Sequence, residues 1–190
     1  MKRPLLVGLL FLLLCLAQWA VPAMMIQAGE KTLEQGTAWR FRTAPVDPYD
    51  PFVGRFVRLS YALERQPLVS AQGPEWQQGQ KLYAHLAEDA QGFAEFSELS
   101  SEPPADGDYI AVSIRYKTRD EVWLHLPFDR FYMEEHQAPQ AELAYAEMQR
   151  ESREAWTVVR VRDGHAVLEE LYLDGLPVRE YLDSMGTGPR

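Results

Sequence analysis

Trp156-Thr-Val-Val-Arg-Val-Arg-Asp-Gly-His-Ala-Val-Leu-Glu-Glu-Leu-Tyr-Leu173 is the stretch that decides the fold class. Apolar residues alternate with others on both sides of Asp163-Gly164. An Asp-Gly pair between two such runs is a strong short-range signal for a tight β-hairpin. The same period of two recurs at residues 39–43, 56–61, 82–86, 93–99, 109–116 and 122–126. Aromatic and β-branched residues at short spacing, bounded by Gly, Pro and Asp, predict a mainly β domain. Its antiparallel sheet folds into a sandwich or partly open barrel. Asp174-Gly175 is expected to close the next strand. One short helix interrupts the sheet, with Pro139 in its first turn and Ala141, Ala144, Tyr145 and Met148 as its apolar stripe. Arg150 and Arg153 near its end suit the helix dipole. Residues 66–80 read as a polar loop, and residues 184–190 as a disordered tail.

Ahead of this domain stands a different kind of sequence. Lys2-Arg3-Pro4 is followed by an apolar run from Leu5 to Ile26, interrupted only by Gln18. That run makes about 33 Å of helix at roughly 1.5 Å per residue, enough to cross a bilayer. A cleaved signal peptide is the rival reading, with Val21-Pro22-Ala23 placed for cleavage after Ala23. The apolar residues Met24, Met25 and Ile26 continue past that point and favour an uncleaved anchor. Lys2 and Arg3 then keep the N-terminus cytoplasmic. The expected location is the inner membrane, crossed once, with the C-terminal domain in the periplasm. Residues 27–35 extend the helix, and Gly36 reads as its C-cap. The expected organisation is an anchor with its helical extension at 1–35, a β domain at 36–183 and the tail at 184–190.

Charge and cysteine content narrow the possible partners. The chain of 190 residues has 19 Lys plus Arg against 28 Asp plus Glu, a formal net charge of −9. Without the first 26 residues, 17 basic residues face 28 acidic ones, leaving −11. A domain this acidic repels phosphate backbones, so no nucleic-acid partner is expected. Cys15 is the single cysteine, which excludes an intrachain disulfide and a multi-cysteine zinc site. Leu14 directly before it argues against a lipoprotein processing site.

One phrase is written twice. Gly54-Arg-Phe-Val-Arg-Leu-Ser-Tyr61 and Gly107-Asp-Tyr-Ile-Ala-Val-Ser-Ile114 share a glycine, a polar residue, an aromatic, an alternating run and a serine. They mark either two equivalent halves of the domain or two independent strand entries. With the N-terminal anchor and Pro45-Val-Asp-Pro-Tyr-Asp-Pro-Phe52, they resemble the GDYXXLXY protein family. The motif falls on Gly54, Arg55, Phe56, Leu59 and Tyr61, with arginine in place of the aspartate and phenylalanine in place of the tyrosine. Gly107, Asp108 and Tyr109 match its opening letter for letter, and Val112 and Ile114 depart from its end. The likeness extends through Arg130-Phe-Tyr-Met-Glu-Glu135 to Leu171-Tyr-Leu-Asp-Gly175. It implies a bacterial membrane-anchored protein with an extracytoplasmic domain, and it carries no catalytic residues.

The candidate chemistry is sparse. Asp47 and Asp50, three apart in a proline-stiffened loop, could ligate a cation or work as an acid/base pair with a histidine in an envelope hydrolase. The simpler reading is that they shape the turn. His85, His125, His136 and His165 lack zinc-site spacing, although His85 and His125 could meet from neighbouring strands. His136 beside Glu134-Glu135 reads as a local ion pair. Ser60 and Ser113 have neither a nucleophile-elbow context nor a lysine or histidine nearby in sequence. No phosphate-binding glycine loop or dinucleotide fingerprint is present, so no cofactor, metal or catalytic residue is expected. Arg130, in a run dense in charge and aromatics, is a candidate partner contact along with Asp47 and Asp50; the alternative, which is favoured, tucks Phe131 and Met133 into the core and pairs Arg130 with a nearby acid. The expected function is association with a membrane or envelope partner, such as a multi-spanning membrane protein.

Overall fold

The Asp163-Gly164 hairpin forms as its sequence dictates. Both turn residues lie at positive φ, 50° and 78°, the conformation a two-residue primed turn requires. In the computed structural model, which describes residues 2–44, 56–68, 76–134 and 136–186, the flanking strands are β10 (Ala155–Arg162) and β11 (His165–Leu173). Asp174-Gly175, at φ 52° and 79°, turns β11 into β12 (Leu176–Pro177). Alternation along β10 puts Ala155, Thr157, Val159 and Val161 inside, and Trp156, Val158, Arg160 and Arg162 toward the outer face.

The remaining strands are β1 (Thr37–Ala44), β2 (Phe56–Arg58), β3 (Ser60–Tyr61), β4 (Arg65–Pro67), β5 (Lys81–Glu88), β6 (Ala94–Ser100), β7 (Tyr109–Lys117), β8 (Glu121–His125) and β9 (Arg130–Tyr132). They form two five-stranded antiparallel sheets, ordered β12-β11-β10-β1-β3 and β4-β8-β7-β5-β6, plus a small β2-β9 pair. A 3-10 turn at Ala62–Glu64 carries the chain from β3 in the first sheet to β4 in the second. At another point the sheets touch through a parallel bridge between Ile110 and Gly164, where the Ala111 amide donates to the Gly164 carbonyl at 3.0 Å. The expected partly open antiparallel barrel is what these residues build. Phe41, Leu82, Ile110, Leu124 and Leu171 fill its core from both sheets.

Helix α2 (Ala138–Arg150) covers one side, burying the expected Ala141, Ala144, Tyr145 and Met148. A further helix, α3 (Val178–Gly186), was not expected; it runs into the stretch read as tail. Its apolar positions Val178, Tyr181 and Leu182 pack on the core, which offsets a sequence otherwise rich in polar residues. Part of the loop expected at 66–80 is strand, because Gln66 and Pro67 pair with Val122 and Glu121 on β8.

Helix α1 (Lys2–Gln35) runs unbroken through the apolar segment and is long and apolar enough to cross a membrane. Its last turns pack on β10 and β11, where Thr32 is buried. Gly36 accepts from the Arg160 guanidinium at 3.3 Å through its carbonyl. A Cβ at Gly36 would come 3.0 Å from the Val161 carbonyl oxygen, so the glycine serves close approach of helix and hairpin.

Candidate binding cleft

Two strand edges face each other across a gap in the barrel. One belongs to β9, paired on its other side with β2; the second belongs to residues 165–169 of β11, paired on their other side with β10. Between them lies a cleft of about 430 Å³. Phe128, Arg130, Phe131 and Tyr132 form one wall, residues 166–170 the other, and Arg179 of α3 also lines it. A bulge shapes the second wall. Val158 pairs with Glu170 and Val159 with Leu168, so Glu169 is the extra residue and β11 bends there.

The charges are unevenly satisfied. Glu169 is gripped by Arg160 through two bonds of 2.7 and 3.1 Å. Glu170 accepts from the Leu171 amide at 3.0 Å. Arg130 lies 3.8 Å from Asp129 and stacks over the Phe56 ring at 5.1 Å. The Tyr132 hydroxyl, more than Asp129, raises the Arg130 guanidinium above its ordinary value. Arg179 is exposed, with no hydrogen bond or ion pair to any described residue.

The motif residues separate into two places. Phe56 sits at the cleft's rim beside Tyr132, ring centroids 5.7 Å apart. Leu59 and Tyr61 are buried. The Tyr61 hydroxyl donates to the Phe128 carbonyl at 3.1 Å and receives a bond from the Thr157 hydroxyl at 3.4 Å. Burial, above all, pushes the Tyr61 phenol far above its ordinary value. Beside it, burial pushes Tyr145 up to about 12 and raises Glu64, whose carboxylate receives the Tyr61 amide at 3.2 Å. Gly107, Asp108 and Tyr109 stand elsewhere, at the junction of the two sheets. Asp108 accepts from the Trp39 indole at 3.0 Å, and Tyr109 packs on the face of Gly164. The two phrases therefore occupy unlike sites and do not mark equivalent halves. Asp47, Asp50, Gly54 and Arg55 lie outside the described residues.

His85 and His125 do not meet, because β7 runs between β5 and β8. Among the described residues no group of three His, Cys, Asp or Glu could hold a metal ion. His136 pairs with Glu134 at 3.2 Å, as its neighbourhood suggested. Ser60 lies 3.5 Å from Glu64 as a donor to its carboxylate. Register alone shows what sequence distance hid: Ser113 stands opposite both Lys81 and His125. That row lies on the outer face of the sheet, where Lys81 is drawn over the Tyr83 ring, 5.3 Å from its centroid. The β9–β11 cleft also escaped sequence reading. Its one available signal was Arg130 with its aromatic neighbours.

An antiparallel, partly open β domain carried on an N-terminal helix long and apolar enough to cross a membrane defines the class. The GDYXXLXY protein family matches residues 18–171, and the chain belongs to that family. No curated protein and no solved structure matches it.

Proposed function

We propose that this protein is a non-enzymatic association module, holding its acidic β domain at the periplasmic face of the inner membrane against a multi-spanning membrane partner. The observation that carries this reading is the continuity of α1. The helix passes from the apolar segment to the β10–β11 hairpin without a break, and is held there by burial of Thr32 and by the Gly36 carbonyl accepting from Arg160. Residues 27–35 add only about 14 Å of helix at roughly 1.5 Å per residue. A domain fixed that close to lipid presents a constant face to other proteins in the same membrane. Lys2 and Arg3 before the span support a cytoplasmic N-terminus.

The test is co-purification of tagged full-length protein from detergent extracts, beside a variant with a flexible Gly-Ser insert between Ile26 and Gln27. A membrane protein enriched with the wild type and lost with the insert is the expected result. Equal recovery with an anchor-only control overturns the reading. Protease access from the periplasmic side, with mass spectrometry of the N-terminus, checks orientation and anchor retention.

A further inference from the structure

We propose that Gln18 docks a hydroxyl- or carboxamide-bearing transmembrane helix of the partner against α1, on the side of α1 that carries the β domain. The inference rests on the association reading above and names where that contact lies within the membrane.

Hydrogen bonding supplies the first argument. Gln18 is the residue that interrupts the apolar run from Leu5 to Ile26. It stands about 4 Å from the middle of that run at roughly 1.5 Å per residue, deep in the hydrocarbon of a spanned bilayer. Its side chain is exposed and bonds to no described residue. A carboxamide brings two donors and an acceptor, and lipid tails satisfy none of them. The main chain adds an acceptor at the same level. Helical bonds run from the amide of one residue to the carbonyl four positions earlier, and Pro22 lies inside α1. Proline has no amide hydrogen, so the Gln18 carbonyl is denied its helical donor. In a bilayer a neighbouring helix can satisfy a backbone group freed in this way. A side chain that both donates and accepts, a hydroxyl or a second carboxamide, answers both groups of Gln18.

Helix phase supplies the second argument and selects the occupant. At 3.6 residues per turn, Gly29 lies about 20° round the axis from Gln18, and Thr32 about 40° to the other side. These residues mark where α1 packs on the β domain. Gly29 is half-buried and Thr32 buried, while the other residues from 27 to 35 are exposed. The face of α1 that holds the domain therefore continues along the helix to Gln18. Two parallel copies joined through Gln18 would crowd both β domains into the space above their contact, which argues against a symmetric pair. A helix of a multi-spanning protein fits beneath the domain instead. Gly29 follows Ile26 by about 5 Å at roughly 1.5 Å per residue, so that helix must end in a short loop on the domain's side.

The experiment places photoreactive benzoylphenylalanine in full-length protein at Phe11 or Met25, each about 20° from Gln18, or at Leu16 on the opposite face. Cross-linking is done in intact membranes, where the helix contact needs no help from the domain; the detergent extraction above demands both contacts. Phe11 and Met25 should capture a foreign membrane protein, and Leu16 should not. Gln18→Leu should lower that capture about tenfold, the order of one hydrogen bond between helices in lipid. Gln18→Asn, which keeps the carboxamide, should retain most of it. Both variants should stay in the membrane pellet, with thermal unfolding of the β domain unchanged. Capture of a second copy, capture of lipid alone, equal capture from Leu16, or capture indifferent to Gln18→Leu overturns the proposal. A mature chain that begins at Met24 overturns it together with the anchor. Capture that depends on Gln18, with equal detergent recovery by the anchor alone, upholds it and removes the domain's part in the association reading. A partner that co-purifies with the wild type yet never cross-links from Phe11 or Met25 does the reverse.

Discussion

The phrase at 54–61 and its near copy at 107–114 show how similar letters acquire different work. The first is broken at Leu59 into β2 and β3, which pair with different strands, β9 and β1. Its closing Tyr61 ends in the core, edge-on to Phe41 and Phe128 and bonded through its hydroxyl. The second runs unbroken along β7, a central strand between β5 and β8. There the opening residues matter most: Asp108 reaches across to Trp39, and Tyr109 takes the space a side chain at Gly164 would need. One copy anchors the interior and the other fastens the two sheets. Alternation of side chains makes both into strands; neighbours distant in sequence decide which residue of the phrase carries the load.

The largest effect should come from removing the interior anchor. Tyr61→Ala is expected to lose about 3–5 kcal/mol, as buried aromatic truncations do. Tyr109→Ala, at a half-buried position, should lose markedly less in the same denaturant titration. Equal losses would erase the contrast between the copies.

Alkaline titration sharpens it next. Tyr145, raised from 10.0 to about 12, has a folded value above its unfolded one. Its contribution is therefore complete below pH 10 and lost as pH rises toward 12, about 2–3 kcal/mol at 1.36 kcal/mol per unit. Tyr61 is shifted in the same direction. Tyrosinate absorbance should show two late-ionising phenols, one missing in Tyr61→Phe and one in Tyr145→Phe.

The sheet junction is probed by Gly164→Ala. Its φ of 78° costs a side chain about 1–2 kcal/mol. The added Cβ would also stand 2.6 Å from the Tyr109 ring. In a Tyr109→Ala background only the backbone cost should remain, and a double-mutant cycle reads the difference. The smallest effect is expected from Asp108→Asn, about 1 kcal/mol for a weakened half-buried hydrogen bond, with a shift in Trp39 fluorescence. An unchanged spectrum would detach Asp108 from the junction.

Much of this architecture was legible from local pattern. The hairpin at Asp163-Gly164, the alternating strands and the stripe of α2 depend on backbone stereochemistry and side-chain period, which a few consecutive residues set. Helix α3 was hidden because its apolar residues Val178, Tyr181 and Leu182 gain their meaning only against the core. The break at Leu59 was hidden because β2 and β3 read as one alternating run at 56–61. Of the cleft, Arg130 alone was visible. The wall at 166–170 reads as an ordinary strand until its outer edge is known to lack a neighbour.

By itself, the sequence determined an apolar helix long enough for a bilayer, an acidic β domain, the places of its tight turns and its family. These follow from composition, periodicity and the few residues able to occupy positive φ. Tertiary structure decided that α1 locks onto the β10–β11 hairpin, that Tyr61 and Tyr109 serve different ends, and that β9 and β11 face each other unpaired. Each of those outcomes depends on which strands meet across long stretches of chain, and hydrogen-bond register between distant segments is written in no single one of them.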